Sequence, residues 1–129
     1  MPIYSIEENC QREQFFQVEF NEIADFMDQV AKEAPPFHGV IAADDVLAVG
    51  VVKYAQRNHI SVPDDLSIIG YNNSMLTTCC IPELTSVDNR LETQTHQLVQ
   101  TLVGVLSGEE MPKKSIFSGK LIKRVTTLF

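Results

Sequence analysis

Residues 38–45 read HGVIAADD, residues 46–59 VLAVGVVKYAQRNH, residues 60–74 ISVPDDLSIIGYNNS and residues 79–86 CCIPELTS. The run at 39–43 is short and apolar, as expected of a strand buried on both faces of a parallel sheet. It stops abruptly at Asp44-Asp45, either of which can cap a helix. Val46, Leu47, Val49, Gly50, Val52, Lys53 and Tyr54 give that helix a broad apolar surface. Pro63-Asp64-Asp65 has turn chemistry, 66–70 reads as a second buried strand, and Tyr71-Asn72-Asn73-Ser74 as a loop. This strand–helix–strand alternation predicts an α/β fold with a parallel sheet and right-handed crossovers. In such sheets ligands bind outside the carboxyl ends of the strands, which here carry Asp44 and Asn72.

Upstream, the first 20 or so residues are acidic and aromatic, with Phe15, Phe16 and Phe20 but no clear period. Asn21 suits an N-cap, and Ile23, Phe26, Met27 and Val30 follow at amphipathic-helix spacing until Pro35-Pro36. Downstream, a strand is expected at 84–87 and a long helix at 91–106, with Leu98, Leu102, Val105 and Leu106 on one face and Gly108 as its stop. The final KSIFSGKLIKRVTTLF reads as one or two strands. No internal repeat is present. Only two strands have a typical βαβ context, so either the last third pairs with them or the chain is part of a longer one.

Composition sets bounds. The 129 residues are 44% hydrophobic and 21% charged, which suits one modest globular domain. No apolar run approaches the roughly 18–20 residues of a membrane span. The start, MPIYSIEENCQ, lacks the regions of a signal peptide, so a cytoplasmic location is expected. Cys10, Cys79 and Cys80 have neither redox nor zinc spacing and are expected to be buried or interface thiols. A net charge of −7 argues against generic nucleic-acid binding. The basic residues of the tail, Lys113, Lys114, Lys120, Lys123 and Arg124, alternate with apolar ones as on a half-exposed, solvated strand face.

Asp44 supplies acceptors only, whereas the Asn72 amide both donates and accepts. Together they suit the hydroxyls of a sugar or polyol better than an anion, which would call for Lys, Arg or a glycine-rich loop. We therefore assign Asp44 to the ligand and Asp45 to the helix cap, with capping the competing role for Asp44. No metal or cofactor is expected, because no phosphate loop or lysine accompanies the acidic pair. His38, His59 and His96 are isolated and Ser74 lies outside a nucleophile elbow, so an enzyme is not expected.

AADDVLAVGVVKYAQRNHISVPDDLSIIGYNNS followed by IPELTSV resembles the effector-binding core of lactose/galactose-repressor-type (LacI/GalR) transcription regulators. The family pattern is A-N-D, then M-A-x-G, then V-P-x-D-[VI]-S-[VI]-[VI]-G-[FY]-D-[DN], then P-x-L-T-[ST]-[VI]. The resemblance covers roughly residues 20–129, through the closing K-R-x-T-T. It implies a type I periplasmic-binding-protein-like α/β effector domain of which this chain is the C-terminal part, with the DNA-binding headpiece absent. Residues 1–84 and 115–129 would belong mainly to the C-terminal subdomain, and 85–114 to the N-terminal one.

Asp44 then stands where the family has a sugar-reading Asn, and Asn72 where it has a sugar-reading Asp. Asn89 matches a polar cleft position. Phe20 lies where members place an aromatic ring in a loop against the sugar, a core role being the alternative. The helix from Val46, including Gly50, and the loop at 75–81 with Met75, Cys79 and Cys80 match a dimer-forming surface. The implied function is sugar sensing by a homodimer that meets operator DNA only through the headpiece and has no membrane partner. The G-Y-N-N-S variant looks most like maltose-operon repressors. The alternatives are a transport-associated periplasmic sugar-binding protein and a doubly wound enzyme.

Overall fold

The computed structural model describes residues 20–33 and 36–129, so Cys10, Phe15 and Phe16 lie outside the described residues. In chain order the elements are α1 (Phe20–Glu33), β1 (Gly39–Ile41), α2 (Asp45–Arg57), β2 (Ser67–Tyr71), α3 (Leu76–Cys79), β3 (Thr85–Asp88), α4 (Leu91–Leu106) and β4 (Lys120–Ile122). They build one four-stranded sheet in the order β1-β2-β3-β4. β1, β2 and β3 are mutually parallel, with Ile41 beside Ile69 and Ile69 beside Thr85. β4 returns antiparallel, placing Leu121 beside Val87.

The periodicities explain the packing. On β2, Ile68 and Gly70 are buried while their neighbours in the strand are more open, the two-residue alternation of a pleated strand. Ile68, Leu66 and Leu84 are fully buried among Ala48, Val51, Val52 and Ala55 of α2. Each such aliphatic contributes about 1.5–3 kcal/mol of burial. α1 lies along α2 through Ala24 and Met27. Gly50 makes that approach possible, since a Cβ there would fall 2.4 Å from Ile23. Gly50 is therefore closed off inside this chain, which corrects its expected place on a dimer surface.

Several expectations change. Asn21 lies inside α1 rather than capping it, and its amide oxygen accepts from Arg57. Among the described residues β1 is the edge strand of the sheet, with Ile41 82% exposed, where a strand buried on both faces was expected. Residues 76–79 form a short helix where a loop was expected. β3, expected to open the contribution to the other subdomain, is hydrogen-bonded into the same sheet as β2.

After β4 the chain re-enters the core through Thr126 and Thr127, both buried. The Thr126 hydroxyl donates to the Ile68 carbonyl at 2.7 Å and accepts from the Thr85 N–H at 2.9 Å. The Ile68 N–H in turn donates to the Thr126 carbonyl at 2.9 Å. Side-chain hydroxyls thus take over where a further strand would run. α4 is different: Leu98, Val99, Leu102, Val103, Val105 and Leu106 are all exposed, so its expected one-sided apolar face has no cover among the described residues. An apolar helix face is normally one packed against a core.

Candidate functional site

The carboxyl ends of β1, β2 and β3 open onto the same edge of the sheet, and the polar residues that follow each strand gather there. After β1 the chain turns into α2. Asp44 has extended backbone angles, and its side chain accepts from the Leu47 N–H at 2.8 Å. Asp44 is therefore the N-cap. The expected cap, Asp45, is instead the first helical residue and is 2% exposed. The correction has a physical reason: the capping oxygen must reach back over the first turn, while the side chain of Asp45 points across to the next two strands. One Asp45 oxygen accepts from the Ser74 N–H and the other from the Ser86 hydroxyl, each at 2.6 Å. Asp44 keeps its second carboxylate oxygen without a protein donor among the described residues.

After β2 the chain makes a turn with two consecutive left-handed residues, Asn72 at φ +93° and Asn73 at φ +49°. Asparagine is the non-glycine residue best suited to this region. The Asn72 N–H donates to the Val87 carbonyl at 2.9 Å and the Asn73 N–H to the Ser86 hydroxyl at 3.0 Å. After β3, the Asp88 carboxylate accepts from the Arg90 N–H at 2.7 Å, closing a turn in which Arg90 is also left-handed. That turn brings Asn89 to Asn72. The Asn89 amide donates to the Asn72 side-chain oxygen at 2.9 Å. The Gln94 amide, one turn into α4, donates to the Asn89 carbonyl.

Asn72 and Asn89 are thus brought together. Asn72 retains both amide hydrogens, and Asn89 retains its side-chain oxygen. With the spare oxygen of Asp44, this edge offers donors and acceptors side by side, the combination that hydroxyl groups require. Phe20 opens α1 as its first residue rather than lying in a preceding loop, and it is half-buried. Because Ile23 lies on Gly50 and Asp28 on Asn58, α1 runs in the same direction as α2. Phe20 is therefore at the carboxyl-edge end of α1. Among the described residues no group of three or more His, Cys, Asp or Glu is placed to hold a metal ion. No helix among them is long and apolar enough to cross a membrane.

Three contributors escape sequence reasoning: Ser86, Gly70 and Arg124. Lys113, Lys114, Lys120 and Lys123 are exposed, as a solvated face requires. Arg124 is not part of that face. Its guanidinium donates to the Leu84 carbonyl at 2.9 Å and to the Asn73 side-chain oxygen at 2.8 Å, tying the returning segment to the turn. The only sequence hint was the K-R-x-T-T ending.

Val46, Met75 and Cys79 are exposed, Met75 by 78%. Cys80 packs against the core, and its sulfur lies 3.3 Å from the Pro82 carbonyl. Burial pushes the Cys80 thiol up from its ordinary value. At the opposite end of α2, Arg57 pairs with Asp25 and Asp28.

The family model of the periplasmic binding protein-like domain matches residues 5–127. An HTH-type transcriptional regulator of Lachnoclostridium phytofermentans is 44% identical over 112 residues, covering 84% of this chain and 34% of that protein. The HTH-type transcriptional regulator AscG of Escherichia coli is 26% identical over 101 residues, covering 78% of this chain and 30% of its own length. Among solved structures, the transcription regulator GntR from Chromobacterium violaceum superposes with a TM-score of 0.78 at 25% identity, covering 85% of this chain and 41% of that one. The lac repressor dimer bound to operator and the anti-inducer ONPF shares the fold, with a TM-score of 0.77 at 23% identity over 84% of this chain and 38% of that one. The chain spans about a third of the length of the sequence relatives it matches, and these are transcriptional regulators rather than enzymes. It belongs to the periplasmic binding protein-like domain family and corresponds to part of the effector-binding domain of a lactose-repressor-type (LacI-family) transcriptional regulator.

Proposed function

We propose that this chain supplies one wall of a sugar-sensing cleft, in a cytoplasmic regulator whose operator binding responds to the sugar. The observation that carries the reading is the Asn72–Asn89 amide pair at the open carboxyl edge of the sheet, with Asp44 on the neighbouring strand end. A carboxylate and two amides, with no lysine or arginine side chain bonded to them among the described residues, favour a neutral polyhydroxylated ligand over a phosphate. Phe20 would add an apolar face, and maltose or a related sugar is the specific candidate. A protein of the same fold is known as the CelR–cellobiose complex.

The unpartnered α4 supports a second unit across the cleft. On this reading residues 89 to about 114 pack into that unit, and β4 with Thr126 and Thr127 brings the chain back. Sugar held between the units stabilises one relative orientation, and only its differential affinity for the two orientations can shift the balance. Dimerisation through Val46 and the segment with Met75 and Cys79 would carry the shift to DNA-binding headpieces elsewhere in the full-length protein. Titration of the full-length regulator with maltose, cellobiose and galactose, while operator binding is followed by fluorescence anisotropy, tests this. A change in operator affinity with at least one neutral sugar is expected. A response to phosphosugars or nucleotides alone would sink the proposal.

A further inference from the structure

Among the described residues the buried carboxylate of Asp45 has no cationic partner, and it has no place in the ligand-reading set, yet the sequence around it is arranged to admit it. Its oxygens accept from the Ser74 N–H and the Ser86 hydroxyl. Room for it comes from Gly70 on β2, where a Cβ would stand 2.4 Å from the carboxylate. Ser86 passes the contact on, accepting from the Asn73 N–H while donating to Asp45. On the other side, Asn73 accepts from Arg124, whose own N–H donates to the Thr85 hydroxyl at 2.9 Å. The turn at Asn72-Asn73 therefore lies between two anchors, one buried under α2 and one on the segment returning from α4.

We infer that Asp45, Ser86 and Arg124 are positioning residues that hold the Asn72-Asn73 turn in its left-handed conformation and so aim the Asn72 amide at the ligand. Successive left-handed residues persist only where their surroundings over-determine them. Here three consecutive N–H groups, of Asn72, Asn73 and Ser74, are each given an acceptor from a different source: a β3 carbonyl, a β3 hydroxyl and the α2 carboxylate. Asp45 fixes the far end of the turn, Ser86 its middle, and Arg124 the side chain of Asn73. None of the three touches the Asn72 amide directly. The ligand-aiming half of this inference rests on the sugar reading above; the turn-holding half does not.

The test uses the full-length protein with Asp45→Asn, Ser86→Ala and Arg124→Lys. Amide hydrogen exchange is measured without ligand, and maltose binding by calorimetry. Asp45→Asn keeps the shape but can accept from only one of the two donors and turns its NH2 group toward the other, and Ser86→Ala leaves both neighbours without its hydroxyl. Each is expected to speed exchange at Asn73 and Ser74 at least about tenfold while the Ile68 amide in the core keeps its rate. Arg124→Lys preserves the charge but not the fork that reaches Leu84 and Asn73 together, and it is expected to speed exchange at Asn73 alone. Maltose affinity should fall about tenfold or more in all three with the melting temperature of Arg124→Lys unchanged. Exchange that rises equally at Ile68, or that does not rise at Asn73 and Ser74 in Asp45→Asn and Ser86→Ala, overturns the inference. If the parent protein binds no maltose, the choice of sugar fails while the exchange rates still decide the role of the anchors.

Discussion

Gly70→Ala is the most demanding test of the packing beneath the site. A methyl group at this position would lie 2.4 Å from an Asp45 carboxylate oxygen, 2.9 Å from Leu84 Cδ2 and 3.3 Å from Ala48 Cβ. The first two are side-chain ends, but both residues are buried and have no solvent to swing into. Overpacking a filled core costs about 1–3 kcal/mol. If the carboxylate is pushed away, a buried donor at Ser74 or Ser86 is left unmade, at about 1–3 kcal/mol more. The sum is roughly 2–6 kcal/mol, which for a chain of this size lowers the melting temperature by on the order of 10 °C or more. Gly39→Ala is the internal control: it lies on the adjacent parallel strand, and among the described residues a methyl there would meet only the Ser67 carbonyl oxygen, at 3.9 Å. Thermal and urea unfolding followed by circular dichroism should show a large loss for Gly70→Ala and little change for Gly39→Ala. Adding Asp45→Ala to Gly70→Ala should cost less than the two separate effects combined, because one source of the clash is gone. Equal melting temperatures for the two glycine variants would falsify the account of why the carboxylate fits.

Other outcomes follow from the same geometry. Asp44→Ala should cost about 1 kcal/mol of stability through loss of the cap, whereas Asp44→Asn should be nearly neutral, since Asn caps as well as Asp; sugar binding weakened in the Asn variant at unchanged stability would then isolate the ligand role. Thr126→Val removes the hydroxyl that serves both the Thr85 N–H and the Ile68 carbonyl, so denaturant titration should show a loss of about 1–3 kcal/mol. Burial raises the Cys80 thiol, so its thiolate forms at higher pH in the folded than in the unfolded chain. The linked stability is present below the unfolded value and is lost as pH rises through the folded one. Iodoacetamide labelling with peptide mapping near pH 8.5, about the ordinary thiol value, should modify exposed Cys79 well before Cys80; the reverse order would contradict the packing.

Strand–helix alternation at 39–71 was legible because apolar runs and turn residues act locally, and each buried run is bounded by its own polar stop. Asp44 and Asn72 were recognisable as strand-end residues for the same reason. The division of labour between Asp44 and Asp45 was not, because it depends on which carboxylate faces β2 and β3, a tertiary fact that two adjacent identical residues cannot encode. Gly50 looked like part of an outer helix face because Ile23, its partner, is distant in sequence. The basic tail was read as uniformly solvated because alternation places a side chain on a face without saying what waits there, and Arg124 meets Asn73. For α4 the apolar period signals a face that needs cover, but among the described residues nothing buries it.

The left-handed backbone at Asn72 has a consequence for how specificity can drift. At φ +93° a side chain with a branched or bulky β-carbon is strained, and Asn, Asp and Gly are the residues that fit readily. If Asn72 reads the ligand as proposed, the alphabet open to it is very short: a carboxylate that only accepts, an amide that also donates, or no reader at all. The amide and the acid are the two informative letters of that alphabet. Asn89 carries no such backbone restriction, so changes of sugar that need a longer or differently shaped reader should accumulate at Asn89, with residue 72 moving only between its few permitted states.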